Sequence, residues 1–122
     1  MRIAYLAGPM TPRGKRADTG NAAIEYLLNI RDLVHAAVVL VEKGFAPYCP
    51  ALDLQYFLSL APGKVIDEAT IKAVSIAFLD IADCIVLLPR WETSPGSEAE
   101  YARACELGML TYFGVEQVPD AR

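Results

Sequence analysis

The residues able to do chemistry in this 122-residue chain crowd into one short segment, Trp91-Glu92-Thr93-Ser94-Pro95-Gly96-Ser97-Glu98-Ala99-Glu100. Ser94 suits the cap of a helix and Pro95 its first position. The free N–H groups of a helix start can hold an anion, so Ser94, Ser97 and the backbone around Gly96 form a candidate phosphate site. Helix capping alone would also explain the serine. Glu100 falls about one and a half turns into that helix, from where it can point back toward the loop. A carboxylate so placed can attack an anomeric carbon and form a glycosyl-enzyme, which water or another acceptor resolves. Glu92 and Glu98 stand close by, and spacing alone does not choose among the three acids. Trp91 can stack on a base or pack at a sheet edge.

A second group of polar residues follows the first apolar run. Gly8-Pro9 is either a tight turn that lets a ligand approach the backbone or ordinary strand-ending punctuation. The loop from Met10 to Gly20 carries Arg13, Lys15 and Arg16, which are phosphate contacts or a solvated basic stretch. It fails as a P-loop: five residues separate Gly8 from Gly14-Lys15 where four are needed, and Arg16 replaces the magnesium-binding Ser/Thr. An ordinary nucleoside triphosphatase is thereby excluded. With a single histidine, His35, no histidine-rich metal site is available, and neither a metal nor a cofactor is expected.

Composition bounds the setting. Hydrophobic residues make up 54% and charged residues 21%, which describes one folded domain over residues 1–122. The apolar excess points to a homodimer or higher homo-oligomer. A net charge of -4 argues against polymeric nucleic acid, whereas a mononucleotide needs only a few local donors. Cys49, Cys84 and Cys105 form an odd, widely spaced set without a CxxC, read as reduced thiols, with Cys84 in the core. No signal-peptide layout or membrane-length apolar run is present, so a cytoplasmic protein without a membrane partner is expected.

These residues must be positioned by an alternation of strands and helices. Strands are predicted at 3–7, 45–49, 83–88 and 110–113, and helices at 21–43, 66–81 and 95–107. In the first helix Ala23, Leu27, Ile30, Val34, Val38 and Val41 recur at helical spacing as the expected core stripe, with His35 on the opposite side and solvated. One helical turn is expected around Leu54–Phe57. Asp67 and Glu68 occupy the first turn of the second long helix, where the dipole favours acids. The pattern predicts a three-layer α/β fold with a parallel sheet and helices on both faces. Ligands then bind beyond the carboxyl ends of the strands, at 8–20, 49–65 and 89–95.

The motifs Tyr5-Leu6-Ala7-Gly8-Pro9-Met10, Ala82-Asp83-Cys84-Ile85-Val86-Leu87-Leu88-Pro89 and Ser94-Pro95-Gly96-Ser97-x-x-Glu100 occur in order around a long helix. Together they resemble the nucleoside 2-deoxyribosyltransferase superfamily, in particular its small bacterial and phage branch. They are also similar to the deoxynucleoside 5′-monophosphate N-glycosidases. The likeness runs from about Ile3 to Tyr112 and is most specific from Asp83 to Glu100. It implies a single deoxyribosyltransferase-like domain, Rossmann-like or flavodoxin-like, with a four- to five-stranded parallel sheet. The implied activity is cleavage of the N-glycosidic bond of a (deoxy)nucleotide or nucleoside, by hydrolysis or transfer.

By that resemblance Gly96 leads to Glu100 as nucleophile, Ser94 meets a 5′-phosphate, and Tyr5 and Gly8 lie beside the sugar. Pro9, Met10, Trp91 and Ser97 complete the expected substrate-binding set. Members are commonly dimers or larger, with sites completed by a neighbour. Two departures stand out. Ser75 occupies the position of an aspartate that positions the sugar and protonates the base, so Asp67 or Glu68 must substitute or the chemistry is weakened. Arg90 stands where close relatives commonly carry Gly, and suits a phosphorylated ligand or an ion pair with Glu92. The alternative is a non-catalytic binder or sensor of a nucleotide-derived molecule that uses the same pocket.

Overall fold

A computed structural model describes residues 1–10 and 21–121. Arg13, with Lys15 and Arg16, lies outside the described residues. Four strands, β1 (Ile3–Ala7), β2 (Ala46–Tyr48), β3 (Cys84–Leu87) and β4 (Leu110–Phe113), form one sheet in the order β2-β1-β3-β4. Every pairing is parallel, with Tyr5 opposite Tyr48 on one side and Ile85 on the other. Four helices connect or flank the strands: α1 (Ala22–Glu42), α2 (Leu54–Leu58), α3 (Glu68–Ile81) and α4 (Pro95–Glu106). The result is a three-layer, Rossmann-like α/β fold with four strands. The helical turn expected around Leu54–Phe57 is α2.

Side chains alternate across the sheet, as strand geometry requires. Ala4, Leu6, Cys84 and Val86 pack with Leu33, Ala36 and Leu40 of α1. Tyr5, Ala7, Ile85 and Leu87 pack on the other face with Leu79 of α3 and Ala104 of α4. The four residues of β3 are buried throughout, which explains why this run carries no polar alternation. Among the described residues no helix is long and apolar enough to cross a membrane.

The face of α1 differs from expectation. Its start is set by Asn21, whose side chain accepts from the N–H groups of Ala23 and Ile24, and Gly44 leaves it with φ of 90°. The residues it buries are Glu25, Asn29, Leu33, Ala36 and Leu40. The expected core stripe is turned largely to solvent: Leu27 is 64% exposed and Val41 58%, and Val34 and Val38 are exposed as well. Ile30 is the stripe residue that packs on the core. The helix carries two apolar stripes, and the inner one begins with two polar residues, so periodicity favoured the outer one. His35 is exposed, although not for the reason the stripe supplied.

Candidate active site

The chain leaves β1 toward β2 and leaves β3 toward β4, which opens a crevice where the two central strands end. Gly8 closes β1 at this point. A Cβ there would stand 3.1 Å from Leu88 Cβ and 3.3 Å from a Leu33 methyl, so the glycine admits close packing of the two strand ends against α1. The crevice widens into a cavity of about 500 Å³. Its walls come from the end of β1 (Tyr5, Gly8, Met10), the β2–α3 connection (Pro50, Asp53, Phe57), α3 (Glu68, Lys72, Ser75) and the start of α4 (Ser94, Gly96, Ser97, Glu100).

The α4 wall is built as its sequence indicates. Ser94 is the cap, its side chain accepting from the Ser97 N–H at 3.3 Å, and Pro95 is the first helical residue. Ser97 is 1% exposed, and its hydroxyl has no hydrogen-bond partner. Helical side chains tilt toward the N-terminus, so Glu100 reaches back into the cavity. A Cβ on Gly96 would lie 4.0 Å from Glu100 Oε1, so the glycine leaves the approach to that carboxyl open. Glu92 and Glu98 are exposed and do not line the cavity. Of the three acids, Glu100 alone is in place.

The environment of Glu100 is unusual for a carboxyl group. Its Oε2 atom is buried without a hydrogen-bond partner. Burial pushes its pKa up to about 7; the Tyr5 hydroxyl opposes that rise and the charge of Asp53 adds to it. Tyr5 is fully buried, and its own hydroxyl closes no well-formed hydrogen bond. Burial, followed by the charge of Glu100, carries the Tyr5 phenol far above its ordinary range. The Tyr5 ring stacks on Tyr48 at 5.3 Å, and Tyr48 stacks on Phe78 at 4.4 Å, which fixes the phenol in place.

Asp53 was not anticipated. It is 6% exposed and accepts from the Tyr48 hydroxyl at 2.9 and 3.0 Å and from the Ser75 hydroxyl at 3.3 Å. Asp53 is the sole acid between Cys49 and Val65, a segment already assigned to the ligand-binding end of the sheet. Elimination among its residues would have found it. Tyr48 was missed with it.

Several expected site residues lie elsewhere. Asp67 is exposed and caps α3 by accepting from the Thr70 N–H, so it does not substitute at Ser75. Glu68 reaches the cavity rim but is exposed and pairs with Lys72 at 3.2 Å. Trp91 packs edge-on to Tyr101 at 5.0 Å and near Phe113, outside the cavity, because these rings close the apolar layer over β4. Pro9 and Arg90 line a separate recess of about 220 Å³ beside α1. Arg90 donates to Asn29 Oδ1 at 3.1 Å and is not paired with Glu92. It holds a left-handed backbone with φ of 69°, which is the conformation that makes Gly common at such a position.

A family model described as a domain of unknown function (DUF4406) matches residues 2–113. The chain belongs to the DUF4406 family. No curated protein matches it. The matched span takes in all four strands and every cavity wall named above.

Proposed function

We propose that this chain cleaves the N-glycosidic bond of a nucleotide or nucleoside, with Glu100 as nucleophile. The observation that carries the reading is the Glu100 carboxyl itself: it is withdrawn from water, lacks a partner at Oε2 and faces a cavity beside the Tyr5 hydroxyl. Ionised Glu100 attacks C1′ as the C1′–N bond breaks. The electron pair leaves on the base, which takes a proton from solvent. Water or another acceptor hydroxyl then attacks C1′, loses its proton and frees Glu100. Gly96 leaves the approach to Glu100 open for the sugar, and Tyr5 stands beside the attacking carboxylate.

The start of α4 supports a phosphorylated substrate. Ser94, Gly96 and Ser97 line the cavity at the start of this helix, whose free N–H groups suit a phosphate, and the Ser97 hydroxyl has no hydrogen-bond partner. A net charge of -4 favours such a small ligand over a nucleic-acid polymer. The exposed stripe of Leu27, Val34, Val38 and Val41 on α1 supports a homo-oligomer.

The test is incubation with a panel of deoxynucleotides and nucleosides, with released base read by chromatography. Base release is expected from wild type and its loss by a factor of about 1,000 or more from Glu100→Gln, as for removal of an essential nucleophile. Because the nucleophile must be ionised, kcat/KM rises with pH through about 7. Undiminished release from Glu100→Gln sinks the proposal. A second reading, a non-catalytic binder, is favoured by Ser75, which puts a hydroxyl and not an acid on the α3 wall of the cavity. A nucleotide that raises the melting temperature and returns intact supports that reading instead.

A further inference from the structure

The geometry points to Asp53 as the second carboxylate of the reaction, a fixed negative charge that stabilises the positive sugar formed when the glycosidic bond breaks. This role rests on the glycosidic reading of the same cavity. Three observations lead to it. Asp53 and Glu100 line one cavity from opposite elements, the β2–α3 connection and α4. Asp53 is buried and cannot swing away, because Tyr48 and Ser75 donate to its oxygens. Its charge is felt at Glu100, where it opposes loss of the proton.

The two acids are fitted for different work. Glu100 has an oxygen without a hydrogen-bond partner and lines the cavity, so its carboxyl can form a bond to carbon. Asp53 has its oxygens engaged by hydroxyl donors and serves as an acceptor and a charge. As the C1′–N bond lengthens, its electrons move to the base, and positive charge gathers on C1′ and the ring oxygen. A preorganised carboxylate stabilises that charge without reorganising at the moment of reaction. Ser75 therefore need not be an acid. Its hydroxyl orients the acid that the neighbouring connection supplies.

The titratable groups that line the cavity with Glu100 are Tyr5 of β1, Asp53 of the β2–α3 connection, and the Glu68–Lys72 pair at the rim of α3. Asp53 is the buried anion among them, so its removal has a defined signature. The experiment is a carbon-13 NMR titration of the Glu100 carboxyl in the full chain, assigned by its absence in Glu100→Gln. In Asp53→Asn the midpoint is expected to fall by about one pH unit. In the double variant Asp53→Ser with Ser75→Asp, which exchanges the two partners of the 3.3 Å Ser75–Asp53 hydrogen bond and keeps a carboxylate in the cavity wall, the midpoint is expected to rise again.

A midpoint unmoved in Asp53→Asn overturns the proposal and leaves Asp53 as a latch between β2 and α3. If Asp53→Asn does not fold, the double variant decides: a Glu100 midpoint still near 7 supports a role for the relocated charge, and one lower by about a pH unit overturns it. Base release supplies the separate arm. A wild-type chain that releases no base from any substrate, while the midpoint moves as stated, defeats the glycosidic reading and keeps the coupled carboxylates. A loss of kcat with little change in KM in Asp53→Asn, restored by the double variant, supports both.

Discussion

The two carboxylates of the cavity line it from regions that treat an acid in opposite ways. On the β2–α3 side, Asp53 is buried with Tyr48 and Ser75 donating to it. On the α4 side, Glu100 is withdrawn from water with Oε2 left open. A buried polar group that is satisfied contributes to the fold, whereas an unsatisfied one costs free energy. The difference separates a charge that belongs to the scaffold from one reserved for a ligand.

The largest expected effect sets these two acids against each other. The Glu100 pKa rises from 4.5 to about 7 on folding, so between those values the native state binds its proton more tightly than the unfolded state. Glu100 therefore costs no stability at low pH, costs progressively more as pH rises toward 7, and costs a constant amount above it. The ceiling is about 3 kcal/mol, before relaxation and water penetration reduce it. Glu100→Gln is expected to raise Tm by several degrees near pH 8, with the gain vanishing near pH 4. Asp53→Ala is expected to do the reverse. It leaves two hydroxyl donors without an acceptor and costs about 1–3 kcal/mol, at both pH values. Thermal melts of the two variants at both pH values check the pair, and equal signs near pH 8 break the comparison.

The same contrast explains what could be read from residue order. The α4 side was legible because its devices are local: Ser94, Pro95, Gly96 and Glu100 act within two helical turns of one another. The Asp53 side was not, because its meaning lies in contacts across 5 and 22 residues, to Tyr48 and Ser75. The strands were legible for a similar reason, since β3 is buried on both faces and must be apolar throughout. The inner face of α1 was hidden by its own polar residues. Asn29 sits there because its amide donates to the Met10 carbonyl and its oxygen accepts from Arg90, and neither partner is local.

A smaller effect sharpens the reading of the α4 side. Ser94→Ala removes the acceptor for the Ser97 N–H and is expected to cost about 1 kcal/mol of stability. If the helix start also holds phosphate, the same change raises KM for a nucleotide several-fold and leaves KM for the corresponding nucleoside unchanged. Steady-state kinetics on the matched pair of substrates separates the two roles. An equal change for both substrates confines Ser94 to capping.

The smallest effect is expected at Arg90, a half-buried polar group outside the comparison of the two acids. Arg90→Gly relieves a left-handed backbone that costs about 1–2 kcal/mol for a residue with a Cβ. It also removes the charged hydrogen bond to Asn29, a loss of about 1.5–3 kcal/mol. The terms oppose each other, so the net change runs from a gain of about 0.5 to a loss of about 2 kcal/mol, centred on a loss below about 1 kcal/mol. Arg90 faces the recess beside α1 and not the Glu100 cavity, so KM for a nucleotide stays at the wild-type value. Kinetics and a melt of this one variant suffice. A KM raised for nucleotides alone would move the phosphate from the start of α4 toward Arg90, and the open Ser97 hydroxyl would then need another explanation.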